Sequence, residues 1–424
     1  MEKSIQLKIG DDRFDLPLPD RADILMIREP PKRVTRQGFA ADLKAALPAG
    51  PLQGRRVAVV VADKTRLCGY DQYLPVLLDL LERRGASKET ISVYIAYGTH
   101  AFQSDAECRT VYGEPFFQYR FVHHDCNDDA CFADMGATGR GTPVRIRKDI
   151  LDADLVITFG AISHHYFAGY GGGRKLIFPG LGQRAAIYHN HGLFLDGQRS
   201  VLSTGCRSGR LDGNPLAEDL AEVEGHRPAD LAIHGILDSH GTVCRLMVGC
   251  GVDHFRKACE YHGRHCEIDP GKIYDMVVAS CGGYPKDINL IQAHKAIHHA
   301  AAFVKDGGVL IVFARCSNGI GSTTFLPWFD MGGWHAAFAR LSHQYQGNGG
   351  TALAMMEKNR RINIFLVTDL SPEVCRVIGV TRIEPASVMQ RVSQQRGSIA
   401  VIPNASLLVR RWIRRQYPGN PELA

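Results

Sequence analysis

Val57-Ala58-Val59-Val60-Val61-Ala62-Asp63-Lys64-Thr65-Arg66 sets an unbroken apolar run directly against a charged, polar tetrad. Six apolar residues without polar alternation predict a strand buried on both faces, as in a largely parallel sheet. The same pattern continues outward. Residues 73–83 have the single apolar face of a helix, and Ile91–Ala96 is again apolar. Ser104-Asp105 is a polar start for a short helix, 119–122 and 155–159 are further strands, and a helix runs from about Gln183 past His191. Short apolar runs alternating with amphipathic stretches predict an α/β fold. A second series begins near Tyr274, with strands at 276–280, 309–313, 362–367 and Ile399–Ile402 and helices at about 289–304 and 386–395. Residues 215–272 carry both signals and no clear boundary.

A chain of 424 residues exceeds one ordinary core. The expected organisation is two α/β domains with mainly parallel sheets, 1–272 and 273–424, and an interdomain active-site cleft. The formal charge of +6 is modest and scattered. Its densest cluster, Arg410-Arg411 with Arg414-Arg415, reads as a solvated helix face, which argues against nucleic-acid binding. A mild positive balance suits a small anionic substrate. The twelve cysteines form no CxxC pair, and no apolar leader follows Met1-Glu2-Lys3. Reduced thiols in a cytoplasm are the expectation. No stretch approaches the roughly 18–20 apolar residues that cross a bilayer.

The position of the reactive residues carries the functional reading. Asp63-Lys64-Thr65-Arg66 follows the first strand and Gly98-Thr99-His100 the second. His123-His124-Asp125 ends the third, and Ser163-His164-His165 follows the fourth. Ligands of open α/β sheets bind outside the carboxyl ends of the strands, so these residues converge on one site. Gly169-Tyr170-Gly171-Gly172-Gly173-Arg174-Lys175 comes next. Its glycines permit positive φ and close approach of backbone N–H groups to a phosphate or flat ring. It is neither a P-loop, since Arg174 precedes Lys175 and Leu176 follows, nor a GxGxxG fingerprint. A tight rigid turn is the alternative. Lys175, followed by Leu-Ile-Phe, is placed for desolvation, which makes an amine reactive. His189 and His191, two apart on a helix, do not share a face, so one of them points into the site. No HExxH or Cys/His zinc pattern occurs. In the second domain, Gln292 and Lys295 are spaced i, i+3 on a helix and form a carboxylate-holding pair or an exposed surface.

With these residues in view, the chain resembles the nickel-dependent lactate racemases. The resemblance rests on DxTR at 63–66, GTH at 98–100, SHHYFAGYGGGRKLIFPG at 163–180, His191 and the NxxQxxK of Asn289, Gln292 and Lys295. It implies an isomerase inverting C2 of a 2-hydroxy acid by proton-coupled hydride transfer through a 2-keto acid. The implied cofactor is a nickel-pincer nucleotide, a pyridinium mononucleotide joined through a thioamide to the lysine matching Lys175. His191 matches the protein's nickel ligand, and His100 and His165 match the acid/base pair. Arg66, Gln292 and Lys295 match substrate positions, and Asp63, Thr65, Gly172 and Gly173 match cofactor positions. Cofactor-synthesis and nickel-insertion proteins are implied partners.

Three departures point away from lactate itself. Leu67-Cys68-Gly69 stands where the family has proline after DxTR, Gly171 replaces a common serine, and Ile291 stands where lactate-active members have tyrosine. Extra histidines (His123, His124, His164, His294) are expected to crowd the site. The competing class is an NAD(P)-dependent hydroxy acid dehydrogenase using a free nucleotide, against which the missing GxGxxG counts.

Overall fold

The structure, a computed structural model, describes residues 3–411. It divides into two compact units. The Lys175 unit comprises Glu29–Asp196 and Leu202–His265; the Lys295 unit comprises Met1–Arg28, Gly197–Val201 and Cys266–Ala424.

The Lys175 unit is built on a six-stranded sheet ordered Val243–Gly249, Leu231–Leu237, Leu155–Ala161, Val57–Ala62, Ile91–Ala96, Arg120–His123. All neighbours are parallel except the antiparallel edge strand Val243–Gly249. Every residue of Val57–Ala62 and Leu155–Ala161 is buried, as their unbroken apolar runs require. From Val57–Ala62 the chain steps outward through Ile91–Ala96 to Arg120–His123. It then returns to lay Leu155–Ala161 on the other flank of Val57–Ala62. Connections from these two central neighbours leave in opposite directions, which opens a crevice at their carboxyl ends.

Two tyrosines finish those ends. Tyr70, at the start of the Tyr70–Arg83 helix, accepts from Ala62 N–H and donates to Phe159 C=O, both at 2.9 Å. Tyr112 donates to Ala62 C=O at 2.9 Å. Backbone groups that the diverging strands cannot pair are thus satisfied by phenols. The helix begins three residues before the apolar periodicity predicts because Gly69, at φ 61, supplies a left-handed turn.

The Lys295 unit holds a second six-stranded sheet, ordered Thr381–Arg382, Asn363–Val367, Val304–Phe313, Tyr274–Ser280, Ile399–Ile402, Asp23–Ile24, with parallel pairings throughout. Division of the sequence at residue 272 needs correction at the amino terminus. Asp23–Ile24 pairs with Ile399–Ile402, and Leu7, Leu16 and Leu18 of the Lys3–Ile9/Asp12–Leu18 hairpin pack on Val278, Ile311 and Val401. Long-range strand pairing outweighs chain proximity here. The basic cluster also differs from the reading as a helix face. Arg410 ends a two-residue strand, Val409–Arg410, paired with Glu267–Ile268, and Arg414 and Arg415 lie outside the described residues.

All twelve cysteines are free thiols. Among the described residues, no helix is long and apolar enough to cross a membrane.

Two predictions follow from this packing. Tyr70→Phe strands a buried N–H and C=O, and should lower unfolding free energy by about 1–3 kcal/mol in urea titration; an unchanged midpoint would refute the bridging role. The second concerns acid. Burial holds His124 at about 4 and His234 at about 3, and pushes His262, His294 and His298 well below the ordinary 6.5. Neutral when folded, these groups bind protons on unfolding. Their contribution is complete above about pH 6.5 and is lost as pH falls toward 4, by on the order of 1 kcal/mol per pH unit for each group. Unfolding free energies measured at pH 7.5 and 5.5 should show this fall, and equal values would contradict it.

Candidate active site

Register places the predicted residues on one edge of the sheet. Ala62 pairs with Ala96, Val61 with Phe159 and Ile95 with His123, so the residues that follow share the carboxyl rim. Asp63 is 3% exposed. Its Oδ1 accepts from Thr65 N–H at 2.8 Å and Thr65 Oγ1 at 2.6 Å, and its Oδ2 lies 2.6 Å from His100 Nδ1. Burial pushes the carboxyl up. The hydrogen bond from His100, the His100 charge, the Thr65 hydroxyl and the Arg66 charge outweigh burial and hold it at about 2. As a carboxylate it can only accept, so His100 Nδ1 carries a proton and donates. Both Asp63 oxygens are taken by protein groups, so Asp63 and Thr65 here orient His100.

The His100 loop is tied to the glycine block: Gly98 N–H donates to Gly180 C=O at 2.8 Å, and Gly180 N–H to Lys175 C=O at 2.9 Å. Within the block, Gly172 and Gly173 have φ of 81° and 53°. A Cβ on Gly172 would sit 2.2 Å from the Ala161 carbonyl oxygen, and one on Gly173 would sit 2.5 Å from the Phe255 ring. Packing of the Gly173–Leu176 turn onto the sheet therefore already requires glycine at both positions.

Lys175 follows on that turn. Burial lowers its ammonium pKa well below the ordinary range, and the charges of Arg66 and Arg174 lower it further. Among the described residues no carboxylate pairs with it. The shift favours the neutral amine, which is the nucleophilic form.

His191 and His189 separate as their spacing demands. His189 Nδ1 lies 2.9 Å from Thr142 Oγ1, which donates to buried Asp219 at 2.6 Å. Between them Asn190, fully buried, donates to Asp219 at 2.8 Å and fixes the Arg184–Gly192 helix. His191 faces the other way. Its Nδ1 donates to Ile187 C=O at 2.8 Å, leaving the lone pair on Nε2. Burial, then the Lys175 charge, bring its pKa to about 4 against the Ile187 hydrogen bond, with His100 adding to the fall. A neutral histidine whose second nitrogen is anchored by a carbonyl has the form of a metal ligand.

His165 lies on the short strand Ser163–His165, paired with Gly169–Gly171. Its Nδ1 accepts from the N–H groups of Phe167 (3.3 Å) and Ala168 (3.1 Å), and its ring stacks on Tyr166 at 5.3 Å. Gln292 and Lys295 belong to the Lys295 unit, on the Leu290–Ala301 helix, where Lys295 Nζ donates to Gln292 Oε1 at 2.7 Å. Asn289 is the cap of that helix, accepting from Gln292 N–H.

The additional histidines do not crowd these residues. His123 bonds Tyr97 OH, and His124 is fully buried against Gly182 C=O. His164 pairs with His262, and His294 is buried in its own unit beside Lys358. Cys68, in the stretch that departs from the family's proline, is buried against Gly235; only Leu67 is exposed there. Sequence reading missed the Asp63–His100 pair and the Asp219 network. An acid and a histidine ending adjacent strands was the available signal for the first; nothing in the spacing announced the second.

The Lys175 unit is thus an α/β domain whose strand ends carry an aspartate-backed histidine, a desolvated lysine and an anchored histidine, the layout of a candidate enzyme site. The profile of the lactate racemase N-terminal domain matches residues 11–203, and that of the lactate racemase C-terminal domain matches 270–340. The chain belongs to the lactate racemase family. It is 30% identical to the lactate racemase of Thermoanaerobacterium thermosaccharolyticum over 65% of this chain and 63% of that one. It is also 30% identical to that of Lactiplantibacillus plantarum over 63% and 62%. The aligned part thus spans a little under two thirds of these curated relatives. The solved lactate racemase apoprotein from T. thermosaccharolyticum superposes with a TM-score of 0.86 at 25% identity, over 97% of this chain and all of that one. A Thermotoga maritima protein shares the fold, with a TM-score of 0.64 at 16% identity over 89% and 97%.

Gly172→Ala should cost about 2–4 kcal/mol in denaturant titration, because the contact with Ala161 is backbone and the φ is left-handed. Wild-type stability in this variant would show that the turn does not need the close approach.

Proposed function

We propose that the protein is an isomerase that inverts C2 of a 2-hydroxy acid other than lactate, through a planar 2-keto acid. The observation that carries this reading is the joint presence of Lys175, whose ammonium is held well below its ordinary pKa by burial, and His191, whose Nδ1 is anchored on the Ile187 carbonyl. The residues fit a lysine-tethered nickel-pincer nucleotide. Lys175 would bear the covalent link, His191 would give the nickel its protein ligand, and the Gly172–Gly173 backbone would border the ring or its phosphate. When bound, that group supplies a hydride acceptor able to return hydride to either face of the keto acid. Among the described residues, no group of three or more His, Cys, Asp or Glu side chains is placed to hold a metal ion.

The protein's own groups supply the rest. A C2–H beside a carboxylate is a very poor proton donor, so the histidines act on the hydroxyl proton. His100 presents Nε2 as base, and Asp63 stabilises the imidazolium that forms. Arg66 brings positive charge next to Lys175 and would orient the substrate carboxylate; Gln292 and Lys295, bonded to each other, are the substrate-binding pair that the family resemblance suggests in the Lys295 unit. Leu67, exposed at the end of DxTR in place of proline, and Ile291, in place of tyrosine, support a substrate unlike lactate.

Co-expression with cofactor-synthesis and nickel-insertion proteins should give a mass increment that peptide mapping places on Lys175, with near-stoichiometric nickel. It should also give racemisation of at least one member of a 2-hydroxy acid panel by chiral chromatography. Lys175→Ala should lose the increment and the activity together. Retention of both in that variant would sink the reading.

A further inference from the structure

The turn that carries Lys175 sends three consecutive side chains in three directions. Gly173–Leu176 is one turn of 3-10 helix, and at three residues per turn neighbouring side chains stand about 120° apart. Leu176 lies on the sheet: it is buried, and a Cβ on Gly160 would meet its Cδ1 at 3.0 Å. Arg174 goes another way, with its guanidinium 5.2 Å from the centre of the Phe255 ring. Two directions are taken, and Lys175 has the third. Its amine then lies where the charge of Arg66 acts on it and its own charge acts on His191. Arg174 has no ion pair among the described residues. Asp212 is held by Arg256 at 3.0 and 2.5 Å, and Glu224 acts on Arg174 only through space. What holds the guanidinium is an aromatic face, an attraction that depends on the ring's electrons and not on its bulk.

Phe255 is itself fixed. It stands on the Gly251–Cys266 helix, 5% exposed, packed among Ile162, Tyr170, Ile236 and Cys259. His234 meets its ring edge-on, with centres 5.8 Å apart and planes at 70°. The rim of the same ring abuts Gly173, where a Cβ would come within 2.5 Å of it. One ring therefore touches both residues that precede Lys175. We propose that Phe255 is a positioning residue for Lys175: its ring seats Gly173 and Arg174, and the seated turn points the lysine at the strand-end site. Phe255 acts only through the turn. The tethering role of the lysine rests on the racemase reading above; the seating of the turn does not. A leucine would fill much of the same space but offer the guanidinium no π face, so the seat requires an aromatic ring.

Hydrogen exchange, followed by mass spectrometry on the cofactor-free full chain, tests the seat without any catalysis. Phe255→Leu should speed exchange of segment 173–180 about tenfold, while peptides covering Val57–Ala62 keep wild-type rates. Phe255→Tyr, which keeps the π face, should hold the segment within about twofold of wild type. Arg174→Leu should loosen the same segment, and adding Phe255→Leu to it should change little more, because the two side chains form one contact. Wild-type exchange in Phe255→Leu, or equal loosening in the leucine and tyrosine variants, would overturn the proposal whether or not the protein racemises anything. Should Phe255→Leu fail to fold, Arg174→Leu at its half-buried position carries the same test. The second measurement uses cofactor-loaded enzyme, with activity counted per bound nickel. Phe255→Leu should lower kcat about tenfold with KM within about twofold, and Phe255→Tyr should recover it, since a misdirected tether harms the transition state more than substrate binding. Unchanged kcat beside a loosened turn would refute the positioning role. A wild-type chain that never takes up the cofactor would count against the racemase reading, and the exchange result would still decide the seating.

Discussion

Two parallel strands, Val57–Ala62 and Leu155–Ala161, lie side by side while their chains depart to opposite flanks of the sheet. That divergence is the constraint on which the site depends. It leaves backbone groups at the strand ends without strand partners, which Tyr70 and Tyr112 take up. It also leaves space that the Gly172–Lys175 turn enters by laying glycine against the Ala161 carbonyl. Stability and placement of the reactive groups therefore draw on the same few contacts. A larger residue at Gly172 would have to move the lysine.

Within that frame, each reactive side chain is set by a partner that does no chemistry itself. Asp63 fixes the proton of His100, Ile187 fixes that of His191, and the turn after His165 fixes the third. Burial then acts in one direction on the cationic groups. Burial disfavours the charged forms of Lys175 and His191, and the charges of Arg66 and Arg174 press further on Lys175. Such a site disfavours positive charge on the lysine and on the imidazole, which is the state that the proposed tether and metal bond require.

The strands were legible because burial on both faces writes itself as continuous apolar runs, and Val57–Ala62, Ile91–Ala96 and Ile399–Ile402 begin and end where those runs do. Convergence of the strand-end residues followed from the topology of parallel sheets. His189 and His191 could be told apart as pointing differently, because a two-residue step turns a little over halfway around a helix. What stayed hidden depends on contacts between distant residues. Asp63 and His100 are 37 positions apart and meet only through strand register. Residues 3–28 join the Lys295 unit because the Asp23–Ile24 strand finds Ile399–Ile402, which no local pattern reveals. The surplus histidines looked functional in sequence, yet His124, His164 and His294 are taken up by packing and by partners of their own.

The central claim is that hydrogen leaves C2 as hydride while only the hydroxyl proton touches a histidine. Racemising a 2-hydroxy acid deuterated at C2 in ordinary water, and weighing the product, tests it most directly. Retention of the deuterium at C2 is predicted, since hydride held at the site returns to the same carbon. Replacement by solvent hydrogen would contradict the account, because it would mean that a base removes the C2 hydrogen as a proton.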